Sequence, residues 1–139
     1  PLASTSPAAV LYVEDDSACV RVMEAAFGLR PELSLRAVAT AADGLDVLAA
    51  EAIDLVLLDI GLPDRSGWDL LAEIRIRWPH LPVIILTAGA DRVPIGVPDP
   101  DRVFVKPFDV TEVIRAIDPD VRCSTGDRDL GQPVDSLKQ

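Results

Sequence analysis

Short, continuous apolar runs alternate along the chain with segments in which apolar residues recur at helical spacing. That alternation is the pattern of parallel strands joined by crossover helices, an α/β architecture. The first run is Val10 to Val13. Behind it Cys19, Val22, Met23, Ala26 and Phe27 stand at i, i+3, i+4, i+7 and i+8, a stripe expected to face the core. Asp16 or Ser17 is placed to cap that helix, and Gly28 lies near its end. Leu33 to Val38 alternates as a second strand, and Leu45, Leu48, Ala49 and Ala52 mark a second helix opening at Asp43-Gly44. The third run, Leu55 to Leu58, is continuous, as expected of a central strand covered on both faces, and it ends at Asp59. Leu71, Ile74 and Trp78 give a third helix that Pro79 stops, followed by a fourth strand, Val83 to Leu86, ending at Thr87. Val103 to Val105 is a short fifth strand ending at Lys106, and Val110, Val113, Ile114 and Ile117 form a last helix before Pro119.

One crossover departs from the pattern. Between the fourth and fifth strands, Pro94, Pro98 and Pro100 remove amide donors and disfavour an α-helix, so a loop with at most one helical turn is expected. The periodic region spans 10–117, with a flexible lead at 1–9 and a mostly mobile polar tail at 118–139.

The chain has 139 residues, room for one ordinary domain. Twenty-three acids against 13 bases give a formal charge of −10, which argues against nucleic acid and anionic membranes as partners. Cys19 and Cys123 stand in no zinc-binding spacing and frame no disulfide scaffold, so a reducing, cytoplasmic setting is expected. The single histidine, His80, follows Trp78-Pro79 at a helix exit and reads as a solvated loop residue. No apolar run approaches the ~20 residues of a membrane span.

In open parallel sheets, functional groups gather beyond the carboxyl ends of the strands. Here those ends carry Glu14-Asp15-Asp16, Asp59, Thr87 and Lys106. Crowded carboxylates repel one another unless a cation compensates. An all-oxygen donor set suits a hard ion such as Mg²⁺ better than zinc. With Lys106 and the Thr87 hydroxyl it could neutralise a phosphoryl group during in-line transfer to one carboxylate. Each residue also has a simpler reading: Asp16 as a helix cap, Asp59 as the opening of a turn, Lys106 as a solvated edge lysine. Four strand ends carrying the right chemistry together make those readings jointly implausible.

The series Val-Leu-Tyr-Val-Glu14-Asp15-Asp16, Leu-Val-Leu-Leu-Asp59-Ile-Gly-Leu-Pro63-Asp-Arg-Ser-Gly67, Val-Ile-Ile-Leu-Thr87-Ala88 and Phe-Val-Lys106-Pro107-Phe108 resembles the receiver domain of bacterial two-component response regulators. The resemblance implies a flavodoxin-like, doubly wound five-stranded parallel sheet in the order 2-1-3-4-5. It implies that Asp59 accepts a phosphoryl group from a phosphohistidine on a sensor histidine kinase or a histidine phosphotransfer protein. Glu14, Asp15, Asp59 and the backbone carbonyl of Gly61 would hold Mg²⁺. Thr87 would bond the phosphoryl oxygen in the activated state, and Lys106 would pair with the acyl phosphate.

Three departures accompany the likeness. The family's switch aromatic, three positions before the lysine, is replaced by Val103, with Phe104 beside it. The helix between the fourth and fifth strands is expected to be missing or degenerate, so dimers through the usual fourth-helix face are not expected. Partner contacts would then fall on the first helix, at Arg21 and Glu24, and on the loops around Asp59. Gly61 and Gly89 place no side chain near the phosphoryl site to shield it from water. The expectation is a signalling phosphoacceptor rather than a metabolic enzyme. The main alternative is a degenerate receiver acting as a phosphorylation-independent interaction module. An aspartyl-phosphate hydrolase is disfavoured because Gly61 stands where a second acid belongs, and an FMN binder because no phosphate-binding loop follows the first strand.

Overall fold

The computed structural model describes residues 7–88 and 93–124. Five parallel strands, β1 (Ala8–Val13), β2 (Leu33–Val38), β3 (Leu55–Asp59), β4 (Val83–Thr87) and β5 (Arg102–Val105), form one sheet in the order β2-β1-β3-β4-β5. This is the flavodoxin-like order, with its switch point between β1 and β3. Helices α1 (Ser17–Phe27), α2 (Ala41–Ala50), α3 (Gly67–Arg77) and α4 (Val110–Ser124) complete the element order.

The strand side chains alternate between two cores, although the central strands read as unbroken apolar runs. Val10, Tyr12, Leu55, Leu57, Ile84 and Leu86 meet Met23 and Phe27 of α1 and Val113, Ile114 and Ile117 of α4. Leu11, Val13, Val56, Leu58, Val83 and Ile85 meet α2 and α3 on the other face. Period-two alternation with both faces covered is what makes β3 and β4 buried at every position.

Local signals set the helix starts. The Asp16 carboxylate caps α1, accepting from the Ala18 and Cys19 amides at 2.9 and 3.4 Å, and these donors favour its ionised form and hold the carboxyl's pKa below the ordinary range. Thr40 caps α2 and Ser66 caps α3. Asp64 adds a cap from outside the element, accepting from Ala41 and Ala42 at 2.9 Å each, so the loop after β3 is tied to the start of α2. Gly67 is required by close approach: a Cβ there would lie 2.5 Å from the Asp59 carbonyl oxygen and 2.7 Å from Ile60 Cα.

Among the described residues no helix lies between β4 and β5, as the prolines led one to expect. Residues 93–100 form a turn-bearing loop in which Gly96 takes φ +89°, a conformation that favours glycine. Val93 and Val97 pack on the α2/α3 core in place of a helix. The loop is pinned at its end by Asp101, whose Oδ2 accepts from the Val83 amide at 2.7 Å and from Arg75 at 3.0 Å. Arg75 also donates to the carbonyls of Leu81 and Asp99.

Several details differ from the sequence expectations. On α1, Met23 and Phe27 are buried, but Val22 is 56% exposed. The second helix begins at the Thr40 cap rather than at Asp43-Gly44 and ends at Ala50; it buries Ala41, Gly44, Val47 and Leu48, packs Leu45 partly against the core, and leaves Ala49, like Ala52 beyond its end, exposed. The last helix continues through Pro119 to Ser124, because a proline removes one intrahelical donor without necessarily ending the helical path. β1 opens at Ala8, inside the expected lead. His80 is exposed beyond α3, as read from the sequence. The rest of the expected lead, 1–6, and of the expected tail, 125–139, lie outside the described residues, as does Gly89.

Candidate phosphoacceptor site

The acidic residues stand where β1 and β3 end, on either side of the switch point. Glu14 continues β1, its amide bonded to the Val38 carbonyl at 2.9 Å, and it is only 2% exposed. Asp59 closes β3 and is buried, while Asp15 is exposed at the mouth of the site. One carboxylate oxygen from each of Glu14, Asp15 and Asp59 falls within 4.8 Å of the others, close enough to share one metal ion. Thr87, buried, ends β4 beside β3.

Lys106 completes the cluster from the edge of the sheet. Its amide donates to the Thr87 carbonyl at 2.7 Å, and the Lys106–Pro107 peptide bond is cis. Its Nζ donates to Glu14 Oε1 at 3.1 Å and to Asp59 Oδ1 at 3.2 Å. The ammonium therefore bridges two acids that come from different strands and lie 92 and 47 positions away in sequence.

Burial pushes the Glu14 carboxyl up, and the neighbouring Asp59 charge pushes it further; Lys106 and the Asp16 amide counter only part of this. For Lys106, burial works against the charged form, but the hydrogen bond to Glu14 and the charges of Asp59 and Glu14 outweigh it, so the ammonium is held above its ordinary range. Among the described residues, three carboxyl groups and one ammonium meet at the site. Such a pocket has chemical use for a cation and for a group that consumes one carboxylate.

The Gly61 backbone forms an isolated bridge with Ser66 just past Asp59. A Cβ at Gly61 would lie 4.0 Å from Asp59 Oδ2, so that side of the carboxylate carries no side-chain cover from residue 61. Val103 and Val105 are 40% and 47% exposed on the α2/α3 face of β5. Phe104 turns to the other face, where it packs on Phe108 with ring centroids 6.3 Å apart.

One contact was missed in the sequence. Tyr12, on β1, donates its hydroxyl to Glu14 Oε1 at 3.2 Å. Burial first, and then the Glu14 charge, hold the phenol protonated far above its ordinary range. A lone hydroxyl in an otherwise aliphatic strand, two residues from the acid and so on the same face, was the available signal.

A family model for the response regulator receiver domain matches residues 10–118. The chain belongs to that family, which is one of signalling proteins whose members serve as phosphoacceptors in two-component systems. It is 36% identical over 133 residues to the transcriptional regulatory protein KdpE of Mycobacterium tuberculosis, covering 90% of this chain and 56% of that protein. It therefore spans little more than half the length of that relative. Among solved structures, the signal receiver domain of an HD domain-containing protein from Pseudomonas fluorescens Pf-5 superposes with a TM-score of 0.80 at 24% identity, covering 88% of this chain and all of that one. The response regulator TrrA from Thermotoga maritima, in complex with Mg(2+)-BeF, gives 0.74 at 23% identity, covering 81% and 98%. No described helix is long and apolar enough to cross a membrane.

Proposed function

We propose that Asp59 is the phosphoacceptor of a two-component phosphorelay, taking its phosphoryl group from a phosphohistidine on a sensor histidine kinase or histidine phosphotransfer protein. The observation that carries this reading is Lys106 bridging Glu14 and Asp59 at 3.1 and 3.2 Å within a cluster of three carboxylates. An Asp59 oxygen attacks phosphorus in line, the new P–O bond forms as the P–N bond to imidazole breaks, and the imidazole leaves with a proton from solvent.

Glu14, Asp15 and Asp59, with the Gly61 carbonyl, are the oxygen donors that would hold Mg²⁺. The ion supplies charge neutralisation for the phosphoryl oxygens. Lys106 then pairs with the acyl phosphate, and Thr87 bonds a phosphoryl oxygen in the activated state. Val103 and Phe104 supply no inward aromatic at the usual position, so switching works through Thr87 and the segment after it rather than through an aromatic rotor. The chain acts as a cytoplasmic signalling switch or relay that assists its own phosphorylation and dephosphorylation. Its partners meet α1 and the loops around Asp59, and dimers through the face that a helix between β4 and β5 would build do not form.

Beryllofluoride with Mg²⁺ tests the reading. The native chain is expected to give a fluorescence or NMR response that is absent in Asp59→Asn. A native chain that responds to neither beryllofluoride nor a small phosphodonor would be a phosphorylation-independent interaction module, a reading that Val103 and a crossover with no helix among its described residues would favour.

A further inference from the structure

We propose that Tyr12 is a positioning residue that fixes the Glu14 carboxylate for cation binding, an inference that rests on the phosphoacceptor reading of the site. β1 reads Ala-Ala-Val-Leu-Tyr-Val, so Tyr12 brings the strand its only side-chain hydroxyl. The side chain is 1% exposed on the face covered by α1 and α4, and its hydroxyl donates to Glu14 Oε1 at 3.2 Å.

Glu14 is held by donors from three places. Oε1 accepts from Tyr12 and from Lys106 Nζ, and Oε2 accepts from the Asp16 amide at 3.3 Å. The Asp16 amide is backbone and stays put, whereas Lys106 divides its ammonium between Glu14 and Asp59. Among the described residues, Tyr12 is the buried ring that donates to Glu14, and it belongs to the core cluster that also holds Val10, Met23 and Leu57. Removing the hydroxyl leaves Oε1 to an ammonium that also answers to Asp59.

The Tyr12 ring also lines a largely apolar cavity beside α1. Tyr12, Cys19, Met23, Lys106 and Phe108 line a cavity of about 370 Å³. A cation bound by Glu14, Asp15 and Asp59 needs their oxygens held together, and outer partners that orient a ligand typically carry about 10–100-fold of metal affinity.

The test starts with Mg²⁺ alone, titrated into the native chain and into Tyr12→Phe by calorimetry, with no phosphodonor present. The dissociation constant is expected to rise by about tenfold in Tyr12→Phe. In Glu14→Gln, which removes the group Tyr12 acts on, adding Tyr12→Phe is expected to change nothing more. An unchanged constant in Tyr12→Phe, or a further loss in the double variant, would overturn the role of Tyr12. A native chain that does not bind Mg²⁺ would overturn the metal-dependent reading instead.

A second measurement does not depend on how Tyr12→Phe folds. The chain contains one tyrosine, so ¹³Cζ-labelled tyrosine gives a single resonance. That resonance is expected to shift in Glu14→Gln and on Mg²⁺ addition to the native chain. A resonance indifferent to both would sink the proposal.

Discussion

β3 and β4 bury every residue they contribute, whereas β5, one strand further out, leaves Arg102, Val103 and Val105 exposed and Phe104 half-covered. The same sheet is finished in the middle and bare at one margin. The cause lies in the connection: the crossover into β5 carries three prolines and supplies two valines, Val93 and Val97, where a helix would lay down a whole apolar stripe. Yet the bare margin delivers Lys106, whose ammonium bridges Glu14 and Asp59. It does so through the covered face, where Phe104 and Phe108 pack with α1 and α4, and through the backbone bond from Lys106 to Thr87. A strand can therefore lose the cover on one face and still place a lysine between two acids from the other.

The contrast can be broken most directly by truncation. Leu58→Ala, in β3, is expected to cost about 2–5 kcal/mol in urea unfolding, while Val105→Ala costs under about 1 kcal/mol. Equal losses would mean that the margin is covered in solution. Next in size is Arg75→Ala, which removes the guanidinium holding Leu81, Asp99 and Asp101. A loss of about 1–3 kcal/mol is expected, with faster amide exchange at Asp101 and Val83 than at Leu57. Exchange rising equally at Leu57 would show that the crossover is not a separate unit.

The smallest effect is electrostatic and belongs to the buried centre. Burial raises the Glu14 carboxyl in the folded chain above its ordinary value of 4.5. Its contribution to stability is therefore complete below that ordinary value and is lost as pH rises through the folded one. In chelator-treated protein, Glu14→Gln is expected to melt above the native chain at pH 7–8, with the gap closing as pH falls toward about 4.5. A gap that widens on acidification would reverse the assignment. Added Mg²⁺ is expected to raise the melting temperature of the native chain by more than that of Glu14→Gln.

How much could be read without coordinates follows from which forces are local. Strand ends at Asp59, Thr87 and Lys106 were legible because an apolar run stops where its buried path stops. Asp16 was legible as a cap because its acceptor serves amides two and three residues away. The buried face of α2 was misjudged at Ala49 and Ala52, because alanines have too little apolar area to fix which way a helix turns, and Ala41 and Gly44 take the inward positions beside Leu48. Val22 fits the periodic stripe of α1 but lies at the lip of the cavity, because neighbouring α4 and the Pro107–Phe108 turn do not close over it.

Local period, proline chemistry and residue type were enough for the alternating α/β plan, for a crossover without a helix among its described residues, for the family likeness and for the oxygen-rich donor set. Only the tertiary structure decided that Tyr12 holds Glu14, that Asp64 caps α2, that Arg75 and Asp101 pin the crossover, and that Lys106 bridges Glu14 and Asp59. These last contacts join atoms up to 92 positions apart. Their reach is set by strand register and by which face each side chain leaves, and neither quantity is written in any local stretch of chain.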